Sequence, residues 1–467
     1  MPSPNLTTIP LEILVWIASY FNGRDLKAAR LVCRQLDVSL FQKFAQKYFT
    51  KVRCTCTEYS LKALVDISES RLSPYLKHVV IEADLLHYEQ INADWGYYGI
   101  TAGSTEVQVS GNRFTQWTAD QLSFLNTGLD QQYLTKAFRN LKLERVGLCD
   151  SDQISSSSVC NCASHKGISL GTSQVYTETD ASPHLQQMEP TGMHRPQEAV
   201  RCVQSVLFAL GESRSRPRRL DICLMYTLLP DQAFNVPNFA KDIILPMISG
   251  LETIDLHLGL YSSFPQLISP NNGVPVIIGT YYLRTFLSHA THLEALHFKA
   301  MDLEDLSDWL GAPISYNDYE GPPELKPPNT PALTKVHECE FKGCKLPLQS
   351  LLHITRKCSG LRKLTLTNII FAEANDDMFC RLFMEILESS AHLESIHLYN
   401  IKYAHGAVTV YFGKRDYRSR LFFYQGLNVK AELEALGWWM ERAEPYTDDE
   451  YGGLGSEEDE DLDSEED

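Results

Sequence analysis

The chain has 467 residues, with 44% hydrophobic and 10% aromatic content. That is too long for one compact core and too apolar for global disorder. The net charge of −17 is concentrated at the end: residues 448–467 hold twelve Asp and Glu and no Lys or Arg, and subtracting those twelve negative charges leaves −5. So mild a balance gives no support to a body built to bind nucleic acid.

In chain order, Pro10 suits the first turn of a helix, and Glu12 complements its dipole. Ile13, Leu14, Ile17, Tyr20 and Phe21 make an apolar stripe at helical spacing. Asn22-Gly23 breaks the helix, and Asp25 is the expected cap of a second. Leu26, Ala29, Leu31 and Val32 would be the apolar side of that second helix. A third carries Leu36, Leu40, Phe41, Phe44 and Tyr48. Three helices in about 40 residues give a very small core, which either caps the next domain or docks on a partner.

The stretch "IPLEILVWIASYFNGRDLKAARLVCRQL" resembles an F-box, carried by Pro10-Leu11-Glu12-Ile13-Leu14, Ile17, Tyr20, Asp25-Leu26 and Arg30-Leu31-Val32-Cys33-Arg34. Ile9, before the Pro, and Gln35-Leu36 depart from the commonest pattern. The resemblance covers about a tenth of the chain. It implies docking on the Skp linker protein, and through it the cullin, of an SCF-type ubiquitin ligase. Pro10, Leu11, Glu12, Ile13, Leu14, Ile17, Leu31, Val32 and Cys33 are the expected contacts.

Beyond residue 50 one spacing recurs: Leu, two residues, an aliphatic, one residue, an apolar. It occurs at Leu76/Val79/Ile81, Leu143/Val146/Leu148, Leu251/Ile254/Leu256, Leu293/Leu296/Phe298, Leu361/Leu364/Leu366 and Leu393/Ile396/Leu398. Weaker copies start at Leu220 ("LDICLM") and Leu333 ("LTKVHE"). The spacing resembles the strand of leucine-rich repeats. Several copies come after an amphipathic helical stretch, so the expected fold is α/β: a curved solenoid with a parallel sheet and outer helices. A non-repeating α/β domain is the alternative. "SRLSPYLKHVVIEAD" resembles the segment after the box in fungal members of the F-box family.

The expected organisation is F-box 1–50, start of the repeats 51–149, a disordered Ser/Thr-rich insertion 150–195, repeats with a C-terminal cap 196–446, and a disordered acidic tail 447–467. "WGYYGITAGSTEVQVSGN" and "NDYEGPPELKPPNTP" read as loops. In the tail, Ser456 and Ser464 each precede Glu-Glu-Asp, a context similar to acidophilic-kinase sites.

No phosphate loop, nucleophile elbow or His-Glu-x-x-His is present, so no catalytic residue and no cofactor are expected. Cys54/Cys56 and Cys160/Cys162 are spaced too closely for structural zinc, and no metal site is expected. The twelve cysteines read as reduced thiols of a cytoplasmic or nuclear protein. No apolar run is long enough for a membrane span. On the solvent side of the strands the spacing predicts a row of Asp255, His297, His337, Thr365 and His397, flanked by His257, Lys299, Cys339, Thr367 and Tyr399. This is either an ordinary solvated face or a protein-substrate surface tuned near neutral pH by His297 and His337. The function implied is substrate recognition for the ligase, without catalysis; a linker-binding scaffold outside the ligase is the alternative.

Overall fold

The computed structural model describes residues 9–83, 105–149, 169–179, 196–259, 267–268, 276–277, 280–299, 303–312, 328–372, 376–390, 392–403, 408–412, 419–426, 429–436 and 438–442. Helices α1 (Leu11–Ser19), α2 (Gly23–Val32) and α3 (Arg34–Tyr48) come first. Pro10 stands just before α1, where a missing N–H costs nothing. The cap of α2 is Asn22, not Asp25: the Asn22 side chain accepts from the Asp25 amide at 2.9 Å. Leu14, Ala18, Leu26, Leu36, Leu40 and Phe44 form a core separate from that of the sheet.

Asp37 joins this module to the next part of the chain. It pairs with Arg30 at 2.7 Å and with Arg71 at 2.6 Å. Those two guanidiniums sit over the rings of Phe44 and Phe41 at 3.8 and 4.0 Å. Hydrogen bonding from Arg71 holds the Asp37 carboxyl below its usual range.

The remaining described chain is α/β. Strand β1 (Lys51–Thr55) is followed by α4 (Glu58–Ser68), β2 (His78–Glu82), β3 (Arg145–Cys149), β4 (Arg219–Leu228) and β5 (Thr253–Gly259). A short antiparallel pair, β6 (Leu267–Ile268) and β7 (Val276–Ile277), stands apart from the main sheet. Then come β8 (Ala295–Lys299), β9 (Glu338–Lys342), β10 (Lys345–Leu346), β11 (Lys363–Phe371) and β12 (Ser395–Tyr403). The main sheet is open and runs β1-β2-β3-β4-β5-β8-β9-β11-β12, every neighbouring pair parallel. Strand order matches chain order without a crossover back. At the far edge β13 (Val408–Phe412) and β14 (Leu421–Gln425) pair antiparallel with β12, and β15 (Trp438–Arg442) pairs with β13.

All six strong copies of the sequence spacing lie where a strand begins, and their apolar positions are buried. Val79, Val146, Ile254, Leu296, Leu364 and Ile396 share one register row; Ile81, Leu148, Leu256, Phe298, Leu366 and Leu398 share the next. Helices such as Leu129–Asn140, Pro196–Glu212, Leu348–Lys357 and Asp376–Ser389 pack on these rows in one continuous core. Parallel strands buried by helices must carry an unbroken apolar face, and these do.

The two weak copies are in a different register from the expected one. Leu220 pairs with Ile254 and Cys339 with Leu296. Each copy is therefore displaced by three residues. An odd displacement turns the strand over. Cys339 consequently packs in the core, and His337 lies before β9 instead of on the outer row, where Glu340 stands.

Two other expectations change. Residues 105–112, expected to be loop, begin the helix Thr105–Asn126. Within the 150–195 insertion the described residues 169–179 are ordered: Leu170 bridges Cys54 at the edge of β1, and Thr172–Thr179 is helical. At the C-terminal cap, Val429–Leu436 is helical and leads into β15. "NDYEGPPELKP", Cys160, Cys162, Ser456, Ser464 and the acidic tail lie outside the described residues. Among the described residues no helix is long and apolar enough to cross a membrane.

The stacked rows predict an uneven response to truncation. Leu256→Ala or Phe298→Ala should cost about 2–5 kcal/mol in chemical denaturation, because each leaves a hole in a fully packed row. Leu31→Ala, at a residue 86% exposed, should stay within about 0.5 kcal/mol of the parent.

Candidate functional site

The register aligns three rows of side chains on the sheet face opposite the apolar rows. Along the middle row stand Asp221, Asp255, His297, Glu340, Thr365 and His397, on β4, β5, β8, β9, β11 and β12. Arg145, Arg219, Glu338 and Lys363 belong to the row before it; Cys223, His257, Lys299 and Tyr399 belong to the row after.

Charged groups on this face join across six strands. Arg145 pairs with Asp221. Arg219 donates to Asp221 at 2.7 Å and to Asp255 at 2.8 Å. Asp255 meets His257 Nε2 at 3.0 Å and His297 Nδ1 at 3.6 Å. His297 Nε2 lies 3.4 Å from Glu338, which Lys363 reaches at 2.7 Å. Asp221 is fully buried, and Asp255, His257 and His297 are each under 10% exposed. The face is thus a buried ionic chain and not the solvated surface that one sequence reading allowed. A second buried pair, Arg53 to Glu82 at 2.6 Å, occupies the β1 end.

Burial raises the Asp255 carboxyl, but the imidazoles of His257 and His297 outweigh it and hold Asp255 well below the carboxylate range. Burial lowers His297, yet Asp255 and Glu338 on its two sides raise it to about 9. Glu338 is lowered to about 2 by His297, against burial, with Lys363 adding to the effect. His297 is therefore charged at neutral pH. His397, half-buried and without a carboxylate contact, is lowered by desolvation. The Lys299 ammonium is lowered by burial and then by Lys342 beside it.

Of the expected face residues, the fold brings Asp255, His257 and His297 together. Lys299 sits opposite His257 on β8. Thr365, His397 and Tyr399 continue toward the far edge, where the His397 ring meets Phe423 edge-on at 6.0 Å. His337 is apart from them, 3.6 Å from Glu294. Sequence reading missed Arg145, Arg219, Asp221, Glu338, Glu340 and Cys223. Correct register at the two weak copies was the signal that would have found Glu340 and Cys223. Cys223, Asp255 and His257 are also the described residues able to hold a metal ion, with one ligand atom from each all within 4.8 Å of one another.

The N-terminal module presents a different surface. Leu11, Ile13, Trp16, Tyr20, Leu31, Val32 and Val38 are exposed apolar side chains on three short helices. Pro10 and Glu12 are exposed, and Ile17 and Cys33 are half-buried. Leu14, expected among the partner contacts, belongs instead to the module's own core. Leu31 and Val32, expected on the apolar side of α2, point away from that core. Trp16 and Tyr20 stack edge-on at 5.9 Å and extend the apolar surface beyond the expected set.

The charge chain predicts a specific pH dependence in metal-free buffer. His297 is raised from 6.5 to about 9, so its contribution is complete below pH 6.5 and disappears as pH rises through 9. Glu338 is lowered from 4.5 to about 2, so its contribution is complete above pH 4.5 and disappears as pH falls through 2. Unfolding of His297→Asn, compared with the parent at about pH 5.5 and about pH 10, should show a deficit on the order of 3 kcal/mol at the lower pH that shrinks at the higher. A deficit equal at both would contradict the pairing.

No family model matches the chain, and a search of curated proteins finds no significant match.

Proposed function

We propose that the chain is a substrate-recognition subunit of an SCF-type cullin-RING ubiquitin ligase. In this reading α1–α3 are an F-box that docks on the Skp linker. The strands after them form a leucine-rich-repeat-like solenoid whose outer face receives a protein substrate. The chain contributes proximity, raising the concentration of substrate near the conjugating enzyme, and no catalytic group.

The observation that carries the reading is the exposed apolar surface of the module. Leu31 is 86% exposed, Tyr20 75% and Trp16 62%. Several exposed apolar side chains on one small folded unit, Trp16 and Tyr20 in ring contact among them, favour a docking surface. A module that merely capped the sheet would bury these residues against it, whereas they point outward while Leu14, Leu26 and Phe44 fill a separate core. Sheet topology supports the second half: strands add in chain order with helices on one face, as stacked repeats do.

Affinity purification of the full chain tests this. Parent protein should recover the Skp linker and the cullin together. Leu31→Asp, which alters a solvent-facing residue, should lose both at least tenfold while the far-UV spectrum stays unchanged. Equal recovery by Leu31→Asp, or no linker with either protein, would overturn the docking assignment. Linker without cullin would identify a scaffold acting outside the ligase.

A further inference from the structure

We propose that Cys223, Asp255 and His257 form a binding site for a borderline-soft divalent cation, Zn2+ by preference, on the sheet face between β4 and β5. The site does not depend on the adaptor reading.

Register creates the constellation. Cys223 and His257 are direct partners across β4 and β5. Asp255 lies two residues before His257, so strand alternation puts all three side chains on one face. All three residues are buried. The separation of 3.0 Å between Asp255 Oδ1 and His257 Nε2 is close to the roughly 3.3 Å between two ligands of a tetrahedral ion with 2.0 Å bonds.

An unsatisfied atom supplies an independent indication. His257 Nδ1 is buried and makes no hydrogen bond, and Asp255 Oδ1, also buried, is met by His257 Nε2 at 3.0 Å. Leaving such an atom unpaired is costly. Arg219 takes the other carboxylate oxygen at 2.8 Å, which aims Oδ1 away from it and toward His257. A cation would accept a lone pair from Oδ1 and from one imidazole nitrogen.

Ligand type selects the ion. One thiolate, one imidazole and one carboxylate suit Zn2+ and exclude the oxygen-preferring Mg2+ and Ca2+. Three protein ligands leave a fourth position for water or for a donor on a bound partner. Binding forms one sulfur–metal bond and releases the Cys223 proton to solvent. Burial and the charges of Asp255 and Asp221 keep that thiol protonated without the ion; the ion reverses the balance. Arg145, Arg219 and the charged His297 and Lys299 oppose the cation, while Asp221 and Glu338 favour it. Affinity should therefore increase with pH.

Cobalt and zinc loading of chelator-treated full-length protein tests the site. Parent protein with Co2+ should develop a thiolate-to-metal charge-transfer band, and after dialysis against Zn2+ should retain about one ion more than Cys223→Ser or His257→Gln. Cys380→Ser, a thiol on the helix Asp376–Ser389, should behave as the parent. Absence of the Co2+ thiolate band in the parent would overturn the proposal whether or not the variants fold. Equal zinc retention in the folded parent, Cys223→Ser and His257→Gln would also overturn it.

Discussion

Parallel register is the constraint on which the rest of the structure depends. Along the path β1-β2-β3-β4-β5-β8-β9-β11-β12 each strand turns alternate residues toward the helices, and those residues must be apolar. The intervening residues are then aligned across the sheet whatever their chemistry. In the centre they are charged and buried, and an unpaired buried charge is too costly to keep. Arg145, Asp221, Arg219, Asp255, His297, Glu338 and Lys363 consequently complete one another across β3, β4, β5, β8, β9 and β11. Removing one member leaves its neighbours uncompensated.

The same arithmetic explains how far the fold was legible in the residues. Where three apolar residues fill the Leu-x-x-Leu-x-Leu spacing, strand, register and buried face are all determined, as at Leu293/Leu296/Phe298. At "LDICLM" the first position of the spacing holds Pro217 instead of Leu, and at "LTKVHE" an extra Leu333 stands three residues ahead of Val336, which holds it. Leu220 and Leu333 then each read as a first position that neither holds, and the three-residue shift exchanges the two faces. That shift placed His337 where Glu340 stands and hid Cys223 among core positions. The antiparallel strands β13, β14 and β15 left no trace in the spacing, because they close the array instead of repeating it.

The N-terminal helices were legible in extent and illegible in orientation. Pro10 and Asn22-Gly23 mark their limits, and the helices begin and end there. But "LEILVWIAS" is apolar nearly all round, so periodicity cannot say which residues face the core. Packing decides it: Leu14 and Ala18 go inside, while Leu11, Ile13 and Trp16 remain outside. The outward set is what makes a docking role physically reasonable, and it shares the module with a core of only a few side chains. Asp37–Arg71, the Phe41–Tyr75 ring contact and Phe49, which packs against both cores, join the module to the next part of the chain.

Register at β4–β5 joins Arg219 to Asp255 inside the charge chain. A double-mutant cycle with Arg219→Gln and Asp255→Asn, read by chemical denaturation at neutral pH, measures that contact most directly. We predict a coupling energy above about 0.5 and up to about 3 kcal/mol. Additivity of the two substitutions within about 0.3 kcal/mol would contradict it.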